Sequence, residues 1–139
     1  MALSGKLSVE VTLQTPAAKY FNIFITQFHT SFKTFVKESL KPRCMKVITD
    51  GKPFKLKEKI EAIDKENKSI TYNFFDGDIS KNYKVFKVFL QVFEKSDGGA
   101  SIKFTIEYEK INENVEAPYG FLEFFEKSAK DIDSHLLKA

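Results

Sequence analysis

The chain has 139 residues, enough for one domain with a substantial hydrophobic core. Its 22 basic and 19 acidic residues leave a net charge of +3, too small and too mixed to draw in nucleic acid, and the basic residues are scattered over strand-outward positions. A single cysteine, Cys44, excludes an internal disulfide and a cysteine-built metal site, and no apolar run has the length of a membrane span or a signal peptide, so the expected setting is the cytoplasm.

Taken in order, the elements follow from period. Residues 5–13 alternate Leu7, Val9, Val11 and Leu13 against polar neighbours, the pattern of a half-buried strand. Thr15-Pro16 then opens a helix, with the threonine hydroxyl as N-cap and the proline at the first helical position. That helix carries Tyr20, Phe21, Phe24 and Phe28 and ends near His29 to Ser31. Phe32, Phe35, Val36 and Leu40 have helical spacing up to the stop at Pro42, and the segment is either a short helix or a surface loop.

Five more strands are predicted. Residues 44–49 and 54–64 form a hairpin about Asp50-Gly51, the second of them turning Phe54, Leu56, Glu58, Ile60 and Ala62 to one face. Residues 69–75 turn Ile70, Tyr72 and Phe74 inward, and Asp76-Gly77-Asp78 breaks that strand. Residues 83–94 put Phe86, Val88, Leu90 and Val92 on one face and Val85, Phe89 and Phe93 on the other. Residues 100–110, after the turn at Asp97-Gly98-Gly99, alternate Ile102, Phe104, Ile106 and Tyr108. A long helix over 118–138 follows, with Phe121, Leu122, Phe125, Ala129, Ile132 and Leu136 on one stripe and a Glu123–Lys127 pair on the wet one. Glu113 and Glu116 precede it near its positive end. The fold class is therefore α+β, an antiparallel meander closing its apolar face on helices.

The 15 Phe and 5 Tyr, with no Trp, fit either a tightly packed core or a hollow interior with aromatic walls. Phosphate-binding glycine loops, zinc-binding helix motifs and nucleophile elbows are all missing, and His29 and His135 have no metal-ligand spacing, so neither a cofactor nor a metal is expected. Glu58 and Tyr72 are the informative polar groups. Both point to the inward face, where a carboxylate either reaches solvent near a strand end or faces a wet cavity and orients a ligand.

Several stretches together resemble one family. They are Met1-Ala-Leu-Ser-Gly-Lys-Leu, Asp50-Gly-Lys-Pro, Lys57-Glu-Lys-Ile-Glu-Ala-Ile-Asp, Asp76-Gly-Asp, Tyr108-Glu-Lys and Lys130-Asp-Ile-Asp-Ser-His-Leu. The set resembles the major latex protein branch of the plant pathogenesis-related class ten, birch pollen allergen (Bet v I) type superfamily, over nearly the whole chain. The resemblance implies a helix-grip fold, a curved antiparallel sheet wrapped around the long C-terminal helix with short N-terminal helices. It further implies an interior cavity for a small hydrophobic molecule of steroid, cytokinin, flavonoid or fatty acid type, and a part in plant defence or stress. On strand phase and resemblance together, the expected lining is Leu56, Glu58, Ile60, Ile70, Tyr72, Phe74, Phe86, Leu90, Phe104 and Ile106 from the sheet, with Phe121, Phe125, Ala129 and Ile132 from the helix. Val88 and Ile102 are expected there as well, and for Val88, Leu90 and Ile102, near mid-sheet, plain core is the alternative.

Binding rather than catalysis is the expectation. The alternative is an isomerase or condensation-type enzyme using Glu58 and Tyr72, but no strand-inward lysine is there to serve as its second polar partner. Relatives also carry an extra strand and a glycine-rich loop where Phe32 to Arg43 stands here, without a glycine. Loss of that strand would leave residues 44–49 at a sheet edge, so the chain is expected as a monomer or as an edge-mediated dimer.

Overall fold

The computed structural model describes residues 3–26, 43–49 and 52–138. The strands are β1 (Ser4–Leu13), β2 (Arg43–Thr49), β3 (Lys52–Asp64), β4 (Ser69–Phe75), β5 (Tyr83–Glu94) and β6 (Ala100–Lys110), and the helices α1 (Ala17–Thr26) and α2 (Tyr119–Lys138). All six strands pair antiparallel in one sheet ordered β1-β6-β5-β4-β3-β2. This is the α+β helix-grip architecture, with α2 held against the apolar face of the curved sheet. Among the described residues β2 is the last strand on its side, at a sheet edge. The end of α1 expected near His29 to Ser31, the segment Phe32 to Pro42 and the Asp50-Gly51 turn lie outside the described residues.

Register explains why the alternating pattern gives one core. Val9 lies opposite Phe104 and Val11 opposite Ile102, while Val88 lies opposite both Tyr72 and Ile106, so each inward residue meets another across the ladder. Ile70, Phe86, Val88, Ile102 and Ile106 are each no more than 2% exposed. The outward set on β5 is left at the surface, with Val85, Phe89 and Phe93 about 40% exposed.

One inward assignment is corrected. The β3–β4 register shifts between Ile60 and Ala62, so Ile60 faces Tyr72 while Ala62 faces Thr71. The extra residue of the bulge moves the alternation by one position. Ala62 is therefore exposed, and Ile63 turns inward opposite Ile70.

The Asp76-Gly77-Asp78 element does more than end β4. The chain there makes a 3-10 turn, Gly77–Lys81, that lies on the backbone of β3. Gly77 has φ +63° and its α-carbon sits so close to the Lys55 carbonyl that a side chain would collide with it. β4 leaves the ladder at Phe75, opposite Lys57, and the Asp78 carboxylate then accepts the free Lys55 N–H at 2.8 Å. Ile79 from the same turn is buried in the core.

The start of α1 is also held differently from expectation. Its first helical hydrogen bond runs from Tyr20 N–H to the Pro16 carbonyl at 2.9 Å. The turn that precedes the helix is held by a carboxylate from another element. Asp133 of α2 accepts the N–H groups of Gln14 and Thr15, each at 3.0 Å, where the loop turns into α1. Tyr20, fully buried, donates its hydroxyl to the Ala129 carbonyl at 2.9 Å, a second tie between the two helices. On the wet face of α2 the ion pair formed is Glu126–Lys130 at 3.1 Å rather than the expected Glu123–Lys127.

Candidate functional site

Between the sheet and the middle of α2 lies a cavity of about 210 Å³. The inward faces of four strands supply its floor: Glu58 from β3, Tyr72 and Phe74 from β4, Val88 and Leu90 from β5, and Phe104 from β6. Its roof is α2, through Phe124, Phe125, Ser128, Ala129 and Ile132. Three and four residue steps bring the roof side chains onto adjoining stripes of the helix, which is why they face one space. The ring of Phe104 stacks on that of Phe125 with centroids 5.1 Å apart, and Tyr72 meets Phe74 edge-on at 6.3 Å.

Polar groups are few and gathered to one side. Glu58 is 7% exposed and opposite Phe74 in the ladder, while Tyr72, two residues back on β4, is its diagonal neighbour. The carboxylate is therefore buried, and the reading in which it escapes to solvent near a strand end is set aside. Among the described residues no lysine, arginine or histidine lines the cavity, and no cluster of metal-ligating side chains occurs.

Of the residues expected at the site, the cavity wall holds Glu58, Tyr72, Phe74, Leu90, Phe104, Phe125, Ala129 and Ile132. Leu56, Ile60, Ile70, Phe86, Ile106 and Phe121 face the same interior but lie outside that wall, and Phe121 also borders a second, more open pocket with Phe54 and Tyr83. Their neighbours fill the space: Phe121 packs its ring against Phe86 at 4.8 Å and Phe54 at 5.4 Å. Val88, named as lining or core, is on the wall, and Ile102 is core. Phe124 and Ser128 were missed. They lie one position before Phe125 and Ala129, and a serine four residues after a phenylalanine reads as a surface position until the width of the stripe is known.

The model of the Pathogenesis-related protein Bet v 1 family matches residues 2–139. The chain is similar to the MLP-like protein 423 of Arabidopsis thaliana, 36% identical over 152 residues that cover 99% of this chain and 97% of that protein. In structure it is similar to the major latex-like protein 151 of Panax ginseng, with a TM-score of 0.77, 23% identity and coverage of 96% and 98%. A norcoclaurine synthase from Thalictrum flavum, solved in complex with dopamine and hydroxybenzaldehyde, has a TM-score of 0.69 at 14% identity, with 97% and 87% covered. At such identities these two structures speak for the fold alone.

Proposed function

The chain belongs to the pathogenesis-related protein Bet v 1 family, and from that premise we propose that it binds a small hydrophobic molecule in the cavity under α2, as a carrier or sensor in plant defence or stress. One observation carries the reading. Protein interiors are packed to crystal density with few voids larger than a water, and here a partly open pocket of about 210 Å³ remains among phenylalanine, leucine and valine walls under α2. A void of that kind weakens the fold unless something is gained by it.

Glu58 and Tyr72 on one wall also suit the second reading, an isomerase or condensation-type enzyme. Proton transfer at a carbonyl or imine normally uses a second charged or basic group on the wall with the acid, and among the described residues no lysine, arginine or histidine lines it, while Arg43 of β2 stands opposite Glu58 in the ladder. Binding is therefore the reading we hold. The lone Cys44 suits work in the cytoplasm, and among the described residues no helix is long and apolar enough to cross a membrane. In solution the chain would be a monomer, or a dimer paired through β2, which concentration-dependent sedimentation would tell apart.

The test is capture. Purified protein incubated with a plant lipid and hormone extract and then re-isolated should carry a stoichiometric small molecule identifiable by mass spectrometry. No bound molecule, together with exclusion of an environment-sensitive dye, sinks the binding reading. A Glu58→Gln protein retaining full turnover in any assay would remove the enzymatic one.

A further inference from the structure

The outer face of the sheet, turned away from α2, carries a line of apolar side chains. Among the described residues five large hydrophobics stand exposed, and three of them, Val85, Phe89 and Phe93, are on β5. Four-residue steps place them about 13 Å apart on one side of the strand. β5 runs inside the sheet between β6 and β4, so its backbone is paired and only the face is open. Scattered apolar side chains are ordinary on a surface, but three in line mark a contact.

The cross-strand register says what would fit. Level with Phe89 stand Ser8, Thr105, Thr71 and Ala62, small and uncharged. On one side of that row lie Lys6, Glu107, Lys87, Asn73 and Lys59, net positive; on the other lie Glu10, Lys103, Gln91, Ser69 and Asp64, net negative. A half-turn about an axis along the Phe89 row lays each side over the other in a second copy. Lys6 then faces Glu10, Glu107 faces Lys103, Lys59 faces Asp64 and Lys87 faces the neutral Gln91, so no like charges oppose. Phe89 meets its own counterpart, and Val85 meets Phe93. The pairs within the chain, Lys6–Glu107 at 3.1 Å and Lys87–Glu61 at 3.3 Å, are surface pairs and leave that complementarity in place. A lipid surface suits the face less well, since acids of both rows would meet anionic headgroups.

We propose that this face is a self-association surface, on which two copies pack face to face with their β5 strands antiparallel about a two-fold axis at Phe89. The contact is distinct from pairing at the β2 edge and independent of what the cavity holds. The sheet curves around α2, so its outer face is convex and contact is confined to about three strands, roughly 15 Å by 27 Å. That is well below the ~800 Å² per partner of a standard interface, so the dimer is weak and transient.

Sedimentation equilibrium of the native chain from about 10 µM to about 1 mM should show the mean mass rising from monomer toward dimer. Phe89→Thr, which matches its neighbours on the row and keeps a good strand former, should weaken association at least about tenfold. Lys103→Glu and Glu107→Lys should each associate less than the native chain, because each sets like charges opposite. Mixed in equal amounts the two should associate again, since every contact between positions 103 and 107 then pairs opposite signs, a rescue that a folding defect could not give. A dimer paired through β2 shows neither the Phe89 effect nor the rescue. A native chain that stays monomeric over that range overturns the proposal, and Phe89-dependent flotation with vesicles of phosphatidylcholine and phosphatidylserine would then give the face to a lipid surface. Association that ignores Phe89→Thr, or a mixture no stronger than either variant alone, overturns it as well.

Discussion

The stretch of α2 around Phe121 and the stretch around Ala129 face the same sheet from the same side of one helix, yet the first meets a wall of rings and the second a void. At Phe121 the rings of Phe86, Phe54 and Phe74 converge at 4.8, 5.4 and 6.4 Å. Tyr83 closes the end, edge-on to Phe86 at 5.2 Å and donating its hydroxyl to the Glu116 carbonyl at 2.7 Å. Two turns along, the helix presents Ala129 and the strands present Val88 and Leu90. Hydrophobic pattern is the same in both places. The side chains that meet around Ala129 leave a space that the rings converging on Phe121 fill at their own contacts.

The largest expected effect lies at the solid end. Phe86 is 1% exposed and touches Phe74, Tyr83 and Phe121, so Phe86→Ala should lower the unfolding free energy by about 3–5 kcal/mol, read by urea denaturation. A loss under about 1 kcal/mol would mean that this end is no better packed than the other, and the contrast would collapse.

Next comes the tie that holds α1 to the hollow end. Asp133→Ala leaves the N–H groups of Gln14 and Thr15 without their acceptor and should weaken the fold by about 1–3 kcal/mol. Burial works against the charged Asp133, but the hydrogen bonds from Thr15 and Gln14 prevail and hold its pKa below the ordinary carboxylate value. The sign follows: its contribution is complete above the unfolded-state pKa near 3.8 and is lost as pH falls through the lower folded value. Acid unfolding of the native chain should therefore be steeper than that of Asp133→Ala, and identical acid profiles would show that the carboxylate carries no such linkage.

Much of this contrast could not be read from periodicity. Strand and helix phases, together with the resemblance, turned Glu58, Tyr72, Phe74, Leu90, Phe104, Phe125, Ala129 and Ile132 to the interior, because the two-residue period of a strand and the stripe of a helix are local properties. The same phases gave Leu56, Ile60, Ile70, Phe86, Ile106 and Phe121 the same standing, and nothing in a period says where along a strand the opposing side chains stop filling the space. Ala62 went astray because a bulge is an insertion in pairing, visible only once β4 is laid beside β3. Asp133 was hidden for a related reason. A tie supplied from more than a hundred residues away has no local signature, whereas Thr15 beside Pro16 reads as a local cap.

Filling the void is the more discriminating substitution. Ala129→Leu adds apolar volume where the structure is empty and replaces one good helix former with another, so stability should stay within about 1.5 kcal/mol of the native value. Affinity for an environment-sensitive dye should fall at least about tenfold at the same time, which an emission titration reads directly. A much larger loss of stability would show that the space is not open to a side chain, and retained binding would place the ligand elsewhere.

The smallest effect is spectroscopic and probes the solid end again. Burial first, then the neighbouring Tyr108 phenol and Glu116, push the pKa of Tyr83 up to about 12. Tyr20 is raised further, by burial and then by the Asp133 carboxylate. Both folded values stand above the ordinary value of 10.0, so the neutral phenols stabilise the fold fully below that pH and the contribution disappears as pH rises through the folded values. Phenolate absorbance of the native chain should accordingly rise in two stages, with Tyr83 in the later one, while in denaturant all five should ionise together near their ordinary value. Tyr83→Phe should remove part of the late stage and leave the early one. A native titration that is complete in one stage near 10 would mean that Tyr83 is wetted, and with it the ring cluster that separates the packed half of the interior from the hollow half.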